Sequence, residues 1–98
     1  MNHTEAELVN GFLKSLHHLA EHTRSAYQQD LNHIQAYCDQ QEIAKWSDLD
    51  GRQIRGFVAW RHRQGIGGRS LQRNLSAVRS FYRYLLKEGK VKNNPAEG

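Results

Sequence analysis

The side chains with most chemistry to offer fall between Arg69 and Lys87. Arg69, Arg73, Arg79, Arg83 and Lys87 alternate there with Ser70, Gln72, Ser76 and Ser80, and no acid interrupts them before Glu88. Leu71, Leu75, Val78, Tyr82 and Leu85 recur through the same stretch at helical spacing, which predicts an amphipathic helix. With Leu71 at zero and about 100° per residue, the apolar set, joined by Leu86, lies within about 60°. Arg69, Arg73, Ser76, Ser80, Arg83 and Lys87 fall between about 120° and 200°, with Gln72 and Arg79 on the flank at about 100° and 80°. Surface helices usually mix signs, because opposite charges at i,i+4 add a few tenths of a kcal/mol. Here Arg69 stacks on Arg73 and Arg79 on Arg83, with no opposite pair along the helix. A polyanion would relieve that repulsion. Arginine forks match phosphate oxygens, and small hydroxyls permit close approach to phosphates or base edges. The helix start at Gly67-Gly68-Arg69-Ser70 adds free N–H groups that suit a phosphate. The plainer reading is a solvated basic surface with no partner.

Charge along the whole chain agrees with the polyanion. Residues 1–50 hold three basic residues against eight acidic ones, whereas residues 61–92 hold nine basic residues against Glu88 alone. The overall charge of +4 conceals this division. The 98 residues suffice for one domain with one modest core. No apolar run approaches the length of a bilayer span, and the first residues lack a secretory signal pattern. Cys38 has no second cysteine to pair with, which fits a reducing compartment.

Three further helices must position the basic one. Thr4 opens a capping-box pattern with Glu7, and Leu8, Phe12, Leu16 and Leu19 continue a first helix from about residue 5. A break is expected at Ala20-Glu21-His22. Tyr27, Leu31, Ile34 and Cys38 then line a second helix, and Ile43 to Leu49 reads as a connection anchored by Trp46 and Leu49. Asp50 with Gln53 caps a third helix, Asp48 being the competing cap; it carries Ile54, Phe57 and Val58 and should stop at Gly65. Ile66 is expected in the core. The fourth helix should end at Gly89. With no strand-like alternation, the fold class is all-α, a four-helix bundle whose short connections should make consecutive helices neighbours.

Other reactive side chains read as structural. Tyr27 and Tyr82 lie on apolar stripes and Tyr37 and Tyr84 at their edges, so none is expected to be a nucleophile. His18 and His22 have metal-compatible spacing but no third ligand nearby. His17, His33 and His62 have no evident partner. Cys38 reads as a small buried hydrophobe, and Trp60 as core or interface. No phosphate-binding loop or catalytic triad is present, and no cofactor, metal or small-molecule substrate is implied.

The run Ser70-Leu71-Gln72-Arg73-Asn74-Leu75-Ser76-Ala77-Val78-Arg79-Ser80-Phe81-Tyr82, closing at Asn94-Pro95, resembles the tyrosine recombinase (phage integrase) family. Within it the resemblance is to the N-terminal core-binding domain of the Xer recombinases. Thr23-x-x-x-Tyr27-x-x-Asp30-Leu31 resembles the family's second helix. The resemblance implies a SAM-like domain over residues 1–92, forming half of a clamp on double-stranded DNA at a recombination core site. Residues 93–98 would begin a linker to a C-terminal catalytic domain that lies outside this sequence. It also implies partner recombinase subunits on the DNA, a cytoplasmic setting, no membrane, and roles in strand exchange such as chromosome-dimer resolution or integration.

Carried over by position, the resemblance nominates Thr23, Arg24 and Gln28 on the second helix for DNA binding. On the fourth it nominates Arg69, Ser70, Gln72, Arg73, Ser76, Arg79, Ser80 and Arg83. Which of these meet bases and which meet phosphate stays open. The family's tyrosine nucleophile and its supporting arginines, histidine and lysine belong to the catalytic domain, so this stretch alone should be catalytically inert. Two positions depart from the family pattern: Ala20 replaces a frequent capping Ser, and Gly67-Gly68 replaces a Ser or Thr. A SAM-like protein-interaction domain and a free-standing helical regulator are the competing readings.

Overall fold

The computed structural model describes residues 1–97; Gly98, the last residue of the expected linker, lies outside them. Four helices form: α1 (His3–Ser15), α2 (Glu21–Gln40), α3 (Gly51–Arg63) and α4 (Gly68–Lys87), with a single 3₁₀ turn at Trp46–Asp48. No strand occurs among the described residues, so the fold is all-α.

Helix ends follow local chemistry, with one correction. Asn2, not Thr4, caps α1: its side chain accepts the Glu5 N–H at 3.1 Å. The Glu5 carboxylate is drawn away into tertiary contacts, and the helix stops at Ser15, short of Leu16 and Leu19. Asp50 does close a capping box with Gln53, whose side chain accepts the Asp50 N–H at 2.8 Å while Asp50 accepts the Gln53 N–H at 2.9 Å. Ala20 and Gly67 start α2 and α4 with no side-chain cap.

The three longer exits share one geometry. After α3, Ile66 N–H reaches Arg61 O and Gly65 N–H reaches His62 O; after α4, Lys90 reaches Leu85 and Gly89 reaches Leu86. After α2, Ile43 reaches Cys38 and Glu42 reaches Asp39 in the same way. These paired bonds satisfy otherwise orphaned carbonyls and need a left-handed residue between them. Gly65 (φ 79) and Gly89 (φ 71) suit that role, but α2 uses Glu42 (φ 59).

The core gathers Phe12, Leu31, Ile34, Cys38, Trp46, Phe57, Val78, Phe81, Tyr82 and Leu85. Its most extensive helix packing is α2 against α4, which are not consecutive. Consecutive α1–α2 and α2–α3 pack together as expected, whereas α3 and α4 meet less. The buried face of α4 is also turned from the expected stripe: Asn74, Ala77 and Phe81 are buried, Leu75 is only half-buried and Leu86 is exposed. Asn74 of this face meets Asp30 of α2, and Phe81 packs against Phe12 of α1 and Trp46 of the connection. Ile66 is half-buried and lies outside the core cluster.

Trp46 joins three elements. Its backbone N–H donates to Glu5 Oε1 at 2.7 Å, its indole N–H to Glu5 O at 3.1 Å, and its carbonyl accepts the Tyr82 hydroxyl at 2.5 Å. The connection is thereby pinned between α1 and α4.

Candidate nucleic-acid interface

Opposite its buried stripe, α4 presents Arg69, Gln72, Arg73, Ser76 and Arg83 to solvent, with Ser70, Arg79 and Ser80 half-buried. All eight residues nominated on this helix are therefore reachable from outside. Thr23 of α2 joins them: with Ala26, Tyr27 and Asp30 it lines a narrow groove closed on the other side by Arg73, Ser76 and Ala77 of α4. Arg24 and Gln28 are placed elsewhere. They line a shallow depression with Leu13 and Lys14 of α1, and the Gln28 amide donates to Asn32 at 3.0 Å.

The α4 face is not free of acids, as its own sequence suggested. Arg73 Nε donates to Asp30 of α2 at 3.2 and 3.3 Å. Arg83 pairs with Glu97 through Nε at 2.7 Å and Nη2 at 2.6 Å. The i,i+4 rule sees partners only within one helix, and both carboxylates come from outside α4. Arg79 reaches the Ser76 hydroxyl at 3.4 Å, and its carbonyl accepts the Asn94 amide at 3.1 Å. The described residues 93–97 thus turn back along α4.

Behind this face runs a buried polar chain that periodicity did not single out. Asn74 donates to Asp30 Oδ1 at 2.6 Å and accepts from Arg61 Nε at 3.1 Å, while Arg61 Nη1 donates to Gln64 at 2.7 Å. Asp30, Arg61 and Asn74 are all buried. A buried charge must be paired and hydrogen-bonded to persist: Asp30 is paired with Arg73 and bonded to Asn74, and Arg61 is bonded to the Asn74 and Gln64 amides. A signal existed: Arg61 continues the Ile54–Phe57 stripe and Asn74 lies between Leu71 and Val78, so each is a polar residue at a core position. His33 lies in the same field, and burial, then the Arg61 guanidinium, lowers its pKa despite Asp30.

No cluster of three or more His, Cys, Asp or Glu residues able to hold a metal ion occurs among the described residues. Burial pushes the Cys38 thiol up to about 12, which keeps it protonated and unreactive. Burial raises the Tyr82 phenol further still. No helix among the described residues is long and apolar enough to cross a membrane.

An arginine-rich helix face exposed on a small all-α bundle, beside the start of a second helix, agrees with what sequence comparison finds. The chain belongs to the family described as phage integrase, N-terminal SAM-like domain, whose model matches residues 9–89. Its relatives are more particular. The tyrosine recombinase XerC of Pseudomonas syringae pv. syringae (strain B728a) is 46% identical over 86 residues, covering 88% of this chain and 29% of the relative. That of Stutzerimonas stutzeri (strain A1501) is 46% identical over 87 residues, covering 89% and 29%. The Pseudomonas putida (strain W619) enzyme of the same name is 45% identical over 94 residues, covering 96% and 31%. The chain therefore spans under a third of the length of these relatives. No solved structure matches it.

Proposed function

We infer that this chain is the DNA-binding half-clamp of an Xer-type tyrosine recombinase, holding duplex DNA at a recombination core site while chemistry occurs in a separate catalytic domain. The observation that carries this reading is the exposure of Arg69, Arg73, Ser76 and Arg83 on one helix, with Thr23 beside them. Arg69 and Arg83, both exposed, are suited to phosphates, as is the uncapped α4 N-terminus. Arg79 and Gln72 flank them, and Arg24 and Gln28 would extend the contact along α2. Residues 93–98 are the proposed start of the connection to the catalytic domain. Partner recombinase subunits bound to the same DNA are part of this reading, as is a cytoplasmic setting. Full strand exchange belongs to the longer protein.

Binding of the chain to a short duplex, followed by fluorescence anisotropy across a salt series, tests it. Contact with roughly four to six phosphates gives a slope of log K against log salt near −3 to −5. Arg69→Glu with Arg83→Glu should flatten that slope and weaken binding at every salt concentration. Unchanged binding by the double variant would refute the reading. Amide shifts confined to α1 on adding duplex would favour a protein-interaction domain instead.

A further inference from the structure

The geometry points to Arg73 as a reader of guanine rather than a phosphate contact, with Asp30 as the positioning residue that aims it. The inference rests on the DNA-binding reading above and adds to it which residue supplies sequence preference.

Arg73 differs from the other arginines of α4 in what holds it. Its side chain is 60% exposed, yet its Nε is tied to a carboxylate that is only 3% exposed. That carboxylate is itself immobilised, since Asn74 donates to it at 2.6 Å and Arg61 fixes Asn74 at 3.1 Å. The hydrogen bonds to Asp30 run through Nε alone, leaving both Nη groups to donate elsewhere. A guanidinium fixed at Nε presents its two Nη groups as a parallel pair, which matches O6 and N7 on the major-groove edge of guanine. Arg83 has the opposite arrangement. Its Nε and Nη2 are both engaged, and Glu97 is an exposed partner at 42%.

Electrostatics agrees for Arg73. A phosphate placed on Arg73 would sit near the Asp30 charge, so the carboxylate would offset part of the attraction. Guanine acceptors are neutral and carry no such penalty, while the lost side-chain freedom has already been met in the free protein. The position agrees as well. Thr23 and Ser76 flank Arg73 in the groove between α2 and α4, and both are short enough to let a base edge approach.

The test is enrichment of bound duplexes from a randomised 20-base-pair pool (about two helical turns) by the 98-residue chain, its Arg73→Gln variant and its Asp30→Asn variant. The parent chain should enrich a guanine at one position. Replacing that guanine by 7-deazaguanine, which lacks N7 but keeps O6, should weaken the selected duplex by roughly three- to tenfold, as expected for losing one acceptor of a bidentate contact. Both variants should lose preference at that position alone while still binding the pool. Arg73→Gln, at an exposed side chain and still carrying an N–H donor for Asp30, keeps the test independent of any folding defect in Asp30→Asn. Arg83→Ala should weaken binding uniformly and keep the guanine. Uniform weakening by Arg73→Gln with the guanine retained would overturn the assignment and leave the DNA-binding reading intact. Failure of the parent chain to bind any duplex would overturn both.

Discussion

Tyr82 donates its hydroxyl to the main-chain carbonyl of Trp46, 36 residues away, and both side chains are almost wholly buried. Burial raises the phenol pKa, so the hydroxyl remains a neutral donor. Tyr82→Phe preserves the ring contacts but leaves a buried carbonyl without a partner. The loss should be about 1–3 kcal/mol, read as a lower urea midpoint with an unchanged slope. A cost near zero would mean that water or a shifted 3₁₀ turn replaces the bond.

The α2 exit offers a gain. Glu42 occupies the left-handed region at φ 59, where the two equivalent exits use glycine. A side chain there costs roughly 1–2 kcal/mol, partly offset because glycine loses more freedom on folding. Removing an acid from a helix C-terminus also relieves its repulsion with the helix dipole. Glu42→Gly should therefore stabilise the chain by about 0.5–1 kcal/mol, raising the thermal midpoint by several degrees. Gly65→Ala and Gly89→Ala, at φ 79 and 71, should act in the opposite direction.

What could be read in advance, and what could not, divides along physical lines. Asp50 with Gln53, the glycine exits of α3 and α4, and the Leu31–Ile34–Cys38 stripe depend on residues close in sequence, and each formed as the pattern implied. The exposed arginines of α4 were legible for the same reason. The rotation that buries Asn74 and Phe81 and leaves Leu75 half-buried depends on how α4 docks on α1, α2 and the Trp46 connection, which helical periodicity does not encode. Asp30 on Arg73 and Glu97 on Arg83 bridge 43 and 14 residues, so no local rule could find them. Asn2, not Thr4, caps the first helix, and the Glu5 carboxylate that could complete a capping box with Asn2 instead serves Trp46, a contact invisible until the connection folds back.

His33 should make stability depend on pH. Asp30 on its own helix, Arg61 of α3 and Arg73 of α4 act on it; burial and then Arg61 lower its pKa below the ordinary 6.5, against the opposing pull of Asp30. The unfolded chain then takes up a proton first as pH falls, so the contribution is present above the unfolded value and is lost as pH drops through the folded one. Urea midpoints measured from about pH 8 to about pH 5 should fall, and His33→Gln should fall less. Parallel curves for the two proteins would show that His33 has no part in the dependence.

Glu97 pairs with the exposed Arg83 at the edge of the α4 face, and its effect on binding should differ from its effect on folding. Exposed ion pairs contribute about 0–1 kcal/mol, so Glu97→Gln should leave the unfolding midpoint nearly unchanged. The same change frees the Nε and Nη2 donors of Arg83 that Glu97 now occupies, and removes a negative charge from the surface offered to DNA. Duplex affinity at low salt should rise roughly two- to fivefold, with the advantage shrinking as screening increases. If the released Arg83 gains a phosphate, the slope of log K against log salt becomes steeper by up to about 1. Combining Glu97→Gln with Arg83→Ala separates the two causes. An advantage that persists without Arg83 reflects the lost charge, whereas one that disappears reflects the freed guanidinium. Affinity and slope both unchanged in Glu97→Gln would place Arg83 outside the contact.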